Sequence, residues 1–182
     1  MKVVIETERL ILRELEYTDD QDLFEMDSDP EVHLYIENNP VKSIDEIRKV
    51  IEMLKIQYKE NGIARWAVVD KLTNECVGWS GLKYFNQPLN NHNNFYELGY
   101  RFKKEHWGKG FATESSSAIL DFGFRNFNVE KIFAITDPKN ENSKKVLNKL
   151  GFEFQETFDY EGDPTDWFEL KKVTWENKKQ IR

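Results

Sequence analysis

The stretch from Phe95 to Glu114, Phe-Tyr-Glu-Leu-Gly-Tyr-Arg-Phe-Lys-Lys-Glu-His-Trp-Gly-Lys-Gly-Phe-Ala-Thr-Glu, leaves this chain few folds to choose from. Its opening half alternates with the period of a strand: Tyr96, Leu98, Tyr100 and Phe102 fall on one side, Glu97, Gly99 and Arg101 on the other. Gly108 and Gly110 then turn the chain, and a helix starts at about Ala112 with Thr113 and Glu114 in its first turn. A strand, a turn with two glycines and a helix N-terminus in succession make an anion site. Glycine lets the backbone come close, the unpaired N–H groups of the first helical turn point outward, and the helix dipole favours negative charge. The guest such a site takes is a phosphate or pyrophosphate.

Two common phosphate loops do not fit. Gly110 is followed by Phe111, which excludes Gly-x-x-x-x-Gly-Lys-Ser/Thr. A dinucleotide fingerprint needs a third glycine where Thr113 stands, although Glu130 lies at the distance of its ribose-binding acid. On the residues alone, Gly-x-Gly is also compatible with a plain turn.

The residues around the glycines narrow the choice. Trp107-Gly-x-Gly-Phe-Ala-x-Glu114, after a strand carrying Gly99-Tyr100, resembles the acyl-CoA pyrophosphate loop of the GNAT N-acetyltransferase superfamily. Trp107 stands where the family usually has Arg or Gln, a variant similar to the branch of ribosomal-protein N-terminal (alanine/serine) acetyltransferases. Two further blocks match in the family's order, Thr7-Glu-Arg-Leu-Ile-Leu-Arg13 and Asn140-Glu-Asn-Ser143-x-x-Val146-Leu-x-Lys-Leu-Gly151-Phe152. The resemblance therefore spans roughly residues 5–175.

It implies a substrate and a site. Acetyl-CoA would lie along the backbone of Leu98, Tyr100 and Phe102, with Trp107, Gly108, Lys109, Gly110, Phe111, Ala112 and Thr113 round its pyrophosphate and Asn140 on the pantetheine arm. Forming an amide from a thioester needs a neutral amine, a donor to the thioester oxygen and a proton for the departing thiolate. By resemblance Glu97 is the general base, acting through a water, or an acid that only orients the acceptor. Ser143 matches the branch's proton donor to the thiolate; tyrosine serves in other branches, and none stands near this block in the sequence.

Composition closes off other classes. With 33 acidic against 26 basic residues and a net charge of −7, the chain disfavours nucleic acid and suits a cationic acceptor or plain solubility. No apolar run approaches the ~18 residues of a membrane span, and Met1-Lys-Val-Val-Ile-Glu6 is too short and too quickly acidic for a signal peptide. The one cysteine, Cys76, leaves no internal disulfide and no Cys-rich zinc site and reads as inert strand filler. His33, His92 and His106 lack metal-ligand spacing, so no metal is assigned. These features point to the cytoplasm.

Taken in order, residues 5–15 read as a first strand, Thr18–Gln21 and Ser43–Glu46 as capping boxes of two helices, and the second helix ends at Asn61-Gly62. Ala64–Asp70 and Cys76–Phe85 form a hairpin; Asn86–Asn94 is a flexible connection or a wall of the acceptor pocket. After the central stretch follow a helix to about Asn126, a strand through Ile132–Thr136, a helix ended by Gly151, and a closing hairpin, Phe152–Phe158 with Trp167–Trp175. The expected domain is residues 1–176, with 177–182 a frayed tail. The expected class is α+β (mixed α/β), one mixed sheet with helices on both faces. The resemblance adds a GNAT fold, about seven mostly antiparallel strands splayed between the fourth and fifth.

The function this implies is acetyl transfer from acetyl-CoA to a primary amine by direct attack in a ternary complex, the protein acting as a monomer or homodimer. The acceptor leans towards a protein or peptide N-terminal α-amine. The alternatives are a small-molecule acceptor (a polyamine, aminoglycoside or other drug) and a non-catalytic acyl-CoA-binding sensor.

Overall fold

The computed structural model describes residues 5–36 and 38–180. Its eight strands form one sheet: β1 (Ile5–Glu6), β2 (Leu10–Arg13), β3 (Arg65–Asp70), β4 (Cys76–Phe85), β5 (Phe95–Phe102), β6 (Lys131–Thr136), β7 (Glu153–Tyr160) and β8 (Asp163–Lys171). They lie in the order β1-β2-β3-β4-β5-β6-β8-β7. Every pairing is antiparallel except β5 with β6, which is parallel and registered at the single pair Glu97–Phe133. The splay therefore falls between the fourth and fifth strands of the sequence reading.

Among the described residues there are eight strands rather than about seven because the first block folds back on itself. Ile5 pairs with Leu12 and Glu6 with Ile11. The turn contains neither Gly nor Pro; Thr7 makes it, its N–H donating to the Leu10 carbonyl (2.9 Å) and its Oγ1 accepting from the Leu10 N–H (3.0 Å). The C-terminal end differs as well. The last strand stops at Lys171, and helix α5 (Lys172–Gln180) takes residues assigned to a strand and then to a frayed tail. Asp121 draws it in, accepting from Trp175 Nε1 at 2.8 Å and pairing with Lys179. Residues 181 and 182 of the expected tail lie outside the described residues.

Helices cover both faces, and strand alternation decides what each face holds. Trp66, Ser80 and Tyr100 share one face, where α3 (Phe111–Asn126) sets Phe122 edge-on to Trp66 and Ser116 beside Ser80. Helix α4 (Glu141–Leu150) meets the same face through Ser143, against Tyr100. Arg65, Trp79 and Arg101 share the other face, and α1 (Asp20–Asp27) reaches it through Asp27. Helix α2 (Ile44–Asn61) starts after Ser43 as expected, but without the reciprocal capping-box bonds: the Ser43 hydroxyl donates to the Glu46 carboxylate (3.0 Å) instead of accepting a backbone N–H. The helix buries Ile47, Ile51, Leu54 and Tyr58. Among the described residues no helix is long and apolar enough to cross a membrane.

Candidate active site

Past Glu97 and Phe133 the two parallel strands lose their pairing, and a cavity of about 160 Å³ opens between them. The parting leaves the backbone of Leu98, Gly99 and Tyr100 lining one side and Ala134, Ile135 and Thr136 the other, with Asn140, Ser143 and Leu147 at the α4 end. Five residues picked from the sequence meet here: Glu97, Leu98, Tyr100, Asn140 and Ser143. Phe102 does not. Its side chain is buried in the core, and its carbonyl accepts from Trp107 Nε1 at 2.9 Å.

The glycine loop stands at the end of the same strand. Gly108 and Gly110 have φ of +73° and +83°, a backbone conformation that side chains resist, and Gly110 is the residue from which α3 starts. Lys109 lies between them, Trp107 is half-exposed before them, and Phe111 is buried after them. Thr113 faces away from the cleft. With Gly110 and Glu114 it lines a wider groove of about 770 Å³ along the outer side of α3.

The loop is held by residues that the sequence marked as a block without giving them a role. Arg9 donates from Nη1 to the Lys109 carbonyl (2.9 Å) and from Nε to Glu114 (2.7 Å), and its guanidinium lies 4.7 Å from the Phe111 ring centre. The Arg9 N–H and the Thr7 hydroxyl also donate to Glu114. Burial alone would raise the Glu114 carboxyl; the donors from Thr7 and Arg9 outweigh it and hold it below its ordinary value of 4.5. Arg9→Ala is expected to raise KM for acetyl-CoA and to cost about 1 kcal/mol of stability, modest because the pair is half in solvent. A depressed carboxyl stabilises above its unfolded value and loses that contribution as pH falls through its folded one. Urea midpoints of wild type and variant should therefore differ at pH 7 and draw together as pH falls from 4.5 through the lower folded-state value.

Tyr100 changes the chemistry expected of the site. Its hydroxyl lies 3.1 Å from Ser143 Oγ and 3.2 Å from the Ser143 carbonyl. No tyrosine is near Ser143 in sequence, but β5 brings Tyr100 against it, so a phenol stands beside the serine matched to the proton donor. Burial pushes the Tyr100 phenol well up, Ser143 pulls it part of the way back, and the Glu97 charge raises it again. The phenol is therefore protonated across the neutral range. Asn140 caps α4, its Oδ1 accepting the Ser143 N–H at 3.0 Å, and its amide nitrogen keeps two donors for a ligand.

Glu97 lies on the opposite face of β5 from Tyr100, buried and paired with Arg65 (Nη2 to Oε2, 2.5 Å). Arg65 also donates to the carbonyls of Gly81 (2.9 Å) and Glu97 (3.2 Å). It can lie this close only because residue 99 is glycine: a Cβ there would stand 2.7 Å from the guanidinium. The loop at residues 86–94 does not line the cleft; His92 ties it down by stacking on Trp167 at 5.2 Å.

Known proteins agree with this geometry. Residues 9–153 match the family model described as Acetyltransferase (GNAT) domain. The uncharacterized N-acetyltransferase p20 of Bacillus licheniformis is 36% identical over 147 residues, 81% of this chain and 80% of that one. Among solved structures, the ribosomal-protein-S5-alanine acetyltransferase of Vibrio fischeri superposes with a TM-score of 0.75 at 22% identity, covering 95% of this chain and 98% of the other. The spermidine N-acetyltransferase of Vibrio cholerae, in complex with CoA and spermine, superposes with a TM-score of 0.73 at 22% identity, covering 94% and 100%. At these identities the two structures speak for the fold. The glycine loop at the head of α3, the parted strands and the family match lead to one assignment: the chain belongs to the GNAT family of acetyltransferases.

Proposed function

We propose that the protein transfers an acetyl group from acetyl-CoA to an α-amine, a peptide or protein N-terminus, by direct attack within a ternary complex. The observation that carries this reading is a cleft fed from both faces of β5, with the Tyr100–Ser143 hydroxyl pair on one side and Glu97 on the other. In the reaction the amine nitrogen bonds to the thioester carbon, the carbon–sulfur bond breaks, the nitrogen loses a proton and the sulfur gains one. The residues sort to those needs. Gly108, Gly110 and the first turn of α3 receive the pyrophosphate, and the freed backbone of Leu98 to Tyr100 receives the pantetheine arm and the carbonyl.

Glu97 has one oxygen on Arg65 and the other to orient the amine or take its proton through a water. A carboxylate so committed is a weak helper for an amine of pKa near 10, almost wholly protonated at neutral pH. An α-amine near 8 is already about one-tenth neutral and suits it better. Tyr100, protonated and hydrogen-bonded to Ser143, supplies the sulfur's proton.

Release of CoA thiol from acetyl-CoA, measured against a panel of short peptides, polyamines and aminoglycosides, tests the reading. Turnover with peptides is expected. Turnover confined to polyamines or aminoglycosides would make it a small-molecule acetyltransferase, and acetyl-CoA binding with no turnover a sensor.

A further inference from the structure

The face of β5 that carries Glu97 also carries a set of groups that acetyl transfer does not use. Arg101 lines the cleft, yet among the described residues the only hydrogen bond of its side chain is from Nη1 to Asp27 Oδ1 at 2.7 Å; its Nε is buried without an acceptor. Behind the same carboxylate sits His33. Its side chain is buried, its Nε2 is 3.6 Å from Asp27, and neither ring nitrogen has a hydrogen-bond partner. Arg65 and Arg101 both lie against Trp79, 5.0 and 5.3 Å from its ring centre. This wall of the cleft is rich in donors and poor in acceptors.

The charges say what it does not want. Among the described residues the ionic groups lining the cleft are Arg65, Arg101, Glu97 and Asp137; Glu97 is paired with Arg65 through one oxygen, and Asp137 accepts the Lys139 N–H at 2.6 Å. An acceptor with several ammonium groups would place its extra charges beside these two guanidinia. An α-amine is the complementary case. The carbon that bears its nitrogen also bears a carbonyl or carboxylate, so an oxygen stands three bonds from the reacting nitrogen. Arg101 follows Glu97 on the same strand face, with Gly99 between them offering no side chain.

We infer that the acceptor carries a carbonyl or carboxylate oxygen on the carbon next to its amine, and that Arg101, fixed by Asp27, receives it. This rests on the reading of the cleft as the amine site. Arg101 is then the residue that tells an α-amine, from a free amino acid or a peptide, from a polyamine or alkylamine.

The test compares kcat/KM, expressed per neutral amine, for alaninamide, free alanine, an alanine-first tripeptide, isopropylamine and spermidine. The α-amines are expected to exceed isopropylamine by about 10- to 100-fold, the worth of one charge-assisted hydrogen bond. The tripeptide leading alanine would identify a peptide terminus, and the reverse an amino acid; either supports the inference. Arg101→Met alone would leave Asp27 buried and unpaired, so the double variant Arg101→Met, Asp27→Asn is used. Its preference for alaninamide over isopropylamine should shrink to within about threefold, with KM for acetyl-CoA unmoved. Equal or better use of isopropylamine or spermidine by wild type, or a preference that survives the double variant, overturns the inference and leaves the acetyltransferase reading in place. Failure to acetylate any amine would remove both.

Discussion

Gly110→Asp is expected to abolish protection of the fold by acetyl-CoA. At about 100 times its dissociation constant, a ligand that binds only the folded state adds about 2.7 kcal/mol, which for a chain of this size raises Tm by roughly 5–10 °C. The variant should show none of that rise while keeping its helical circular dichroism. Two effects combine. Residue 110 has φ of +83° and starts α3, so its N–H neighbours are the ones proposed to meet the pyrophosphate. Any Cβ there would also stand 3.4 Å from Arg9 Nη2, and an aspartate would bring negative charge to a place built for a phosphate. Gly108→Ala is the control. Its φ is +73° but a Cβ would meet nothing within 4 Å, so it should cost about 1–2 kcal/mol of stability and retain most of the protection. NAD should protect neither protein. Protection of Gly110→Asp equal to wild type would move the pyrophosphate away from this loop.

Tyr100→Phe is expected to lower kcat by about 100-fold or more, the usual worth of a positioned proton donor, with KM for acetyl-CoA nearly unchanged. Ser143→Ala should cost less, about tenfold. The order follows from acidity. The departing thiolate belongs to a thiol with pKa near 8.5, and a phenol, even one raised above 10 by burial, is a far stronger acid than a serine hydroxyl. The Ser143 hydrogen bond is one of the influences that lower the Tyr100 phenol, so removing it should make Tyr100 a poorer donor rather than remove the donor. Because the phenol is raised, it stays protonated below about pH 10 and should impose no alkaline fall in kcat between pH 7 and 9. Full activity in Tyr100→Phe together with a large loss in Ser143→Ala would return the role to serine.

The features legible in the sequence are those written within one element or at its ends. Alternation assigned the two faces of β5, glycine at positive φ marked the loop before α3 and the end of α2, and Ser43 marked the residue after which that helix starts. Each depends on neighbours a few residues apart, so spacing alone carries the information. The first hairpin was hidden because Thr7, rather than glycine or proline, makes its turn. Helix α5 was hidden because Val173 and Thr174 favour a strand by propensity, and docking of Trp175 on Asp121 overrides them. The chemistry of the cleft was settled by contacts with no local trace. Glu97 meets Arg65 across 32 residues, Tyr100 meets Ser143 across 43, and Arg9 meets Glu114 across 105. Residue types named the candidates, but whether a carboxylate is free or paired, and which hydroxyl has a partner, depends on which strands and helices lie side by side. The tertiary fold alone decides that, because hydrogen bonds and ion pairs act over about 3 Å of space however far apart their residues stand in the chain.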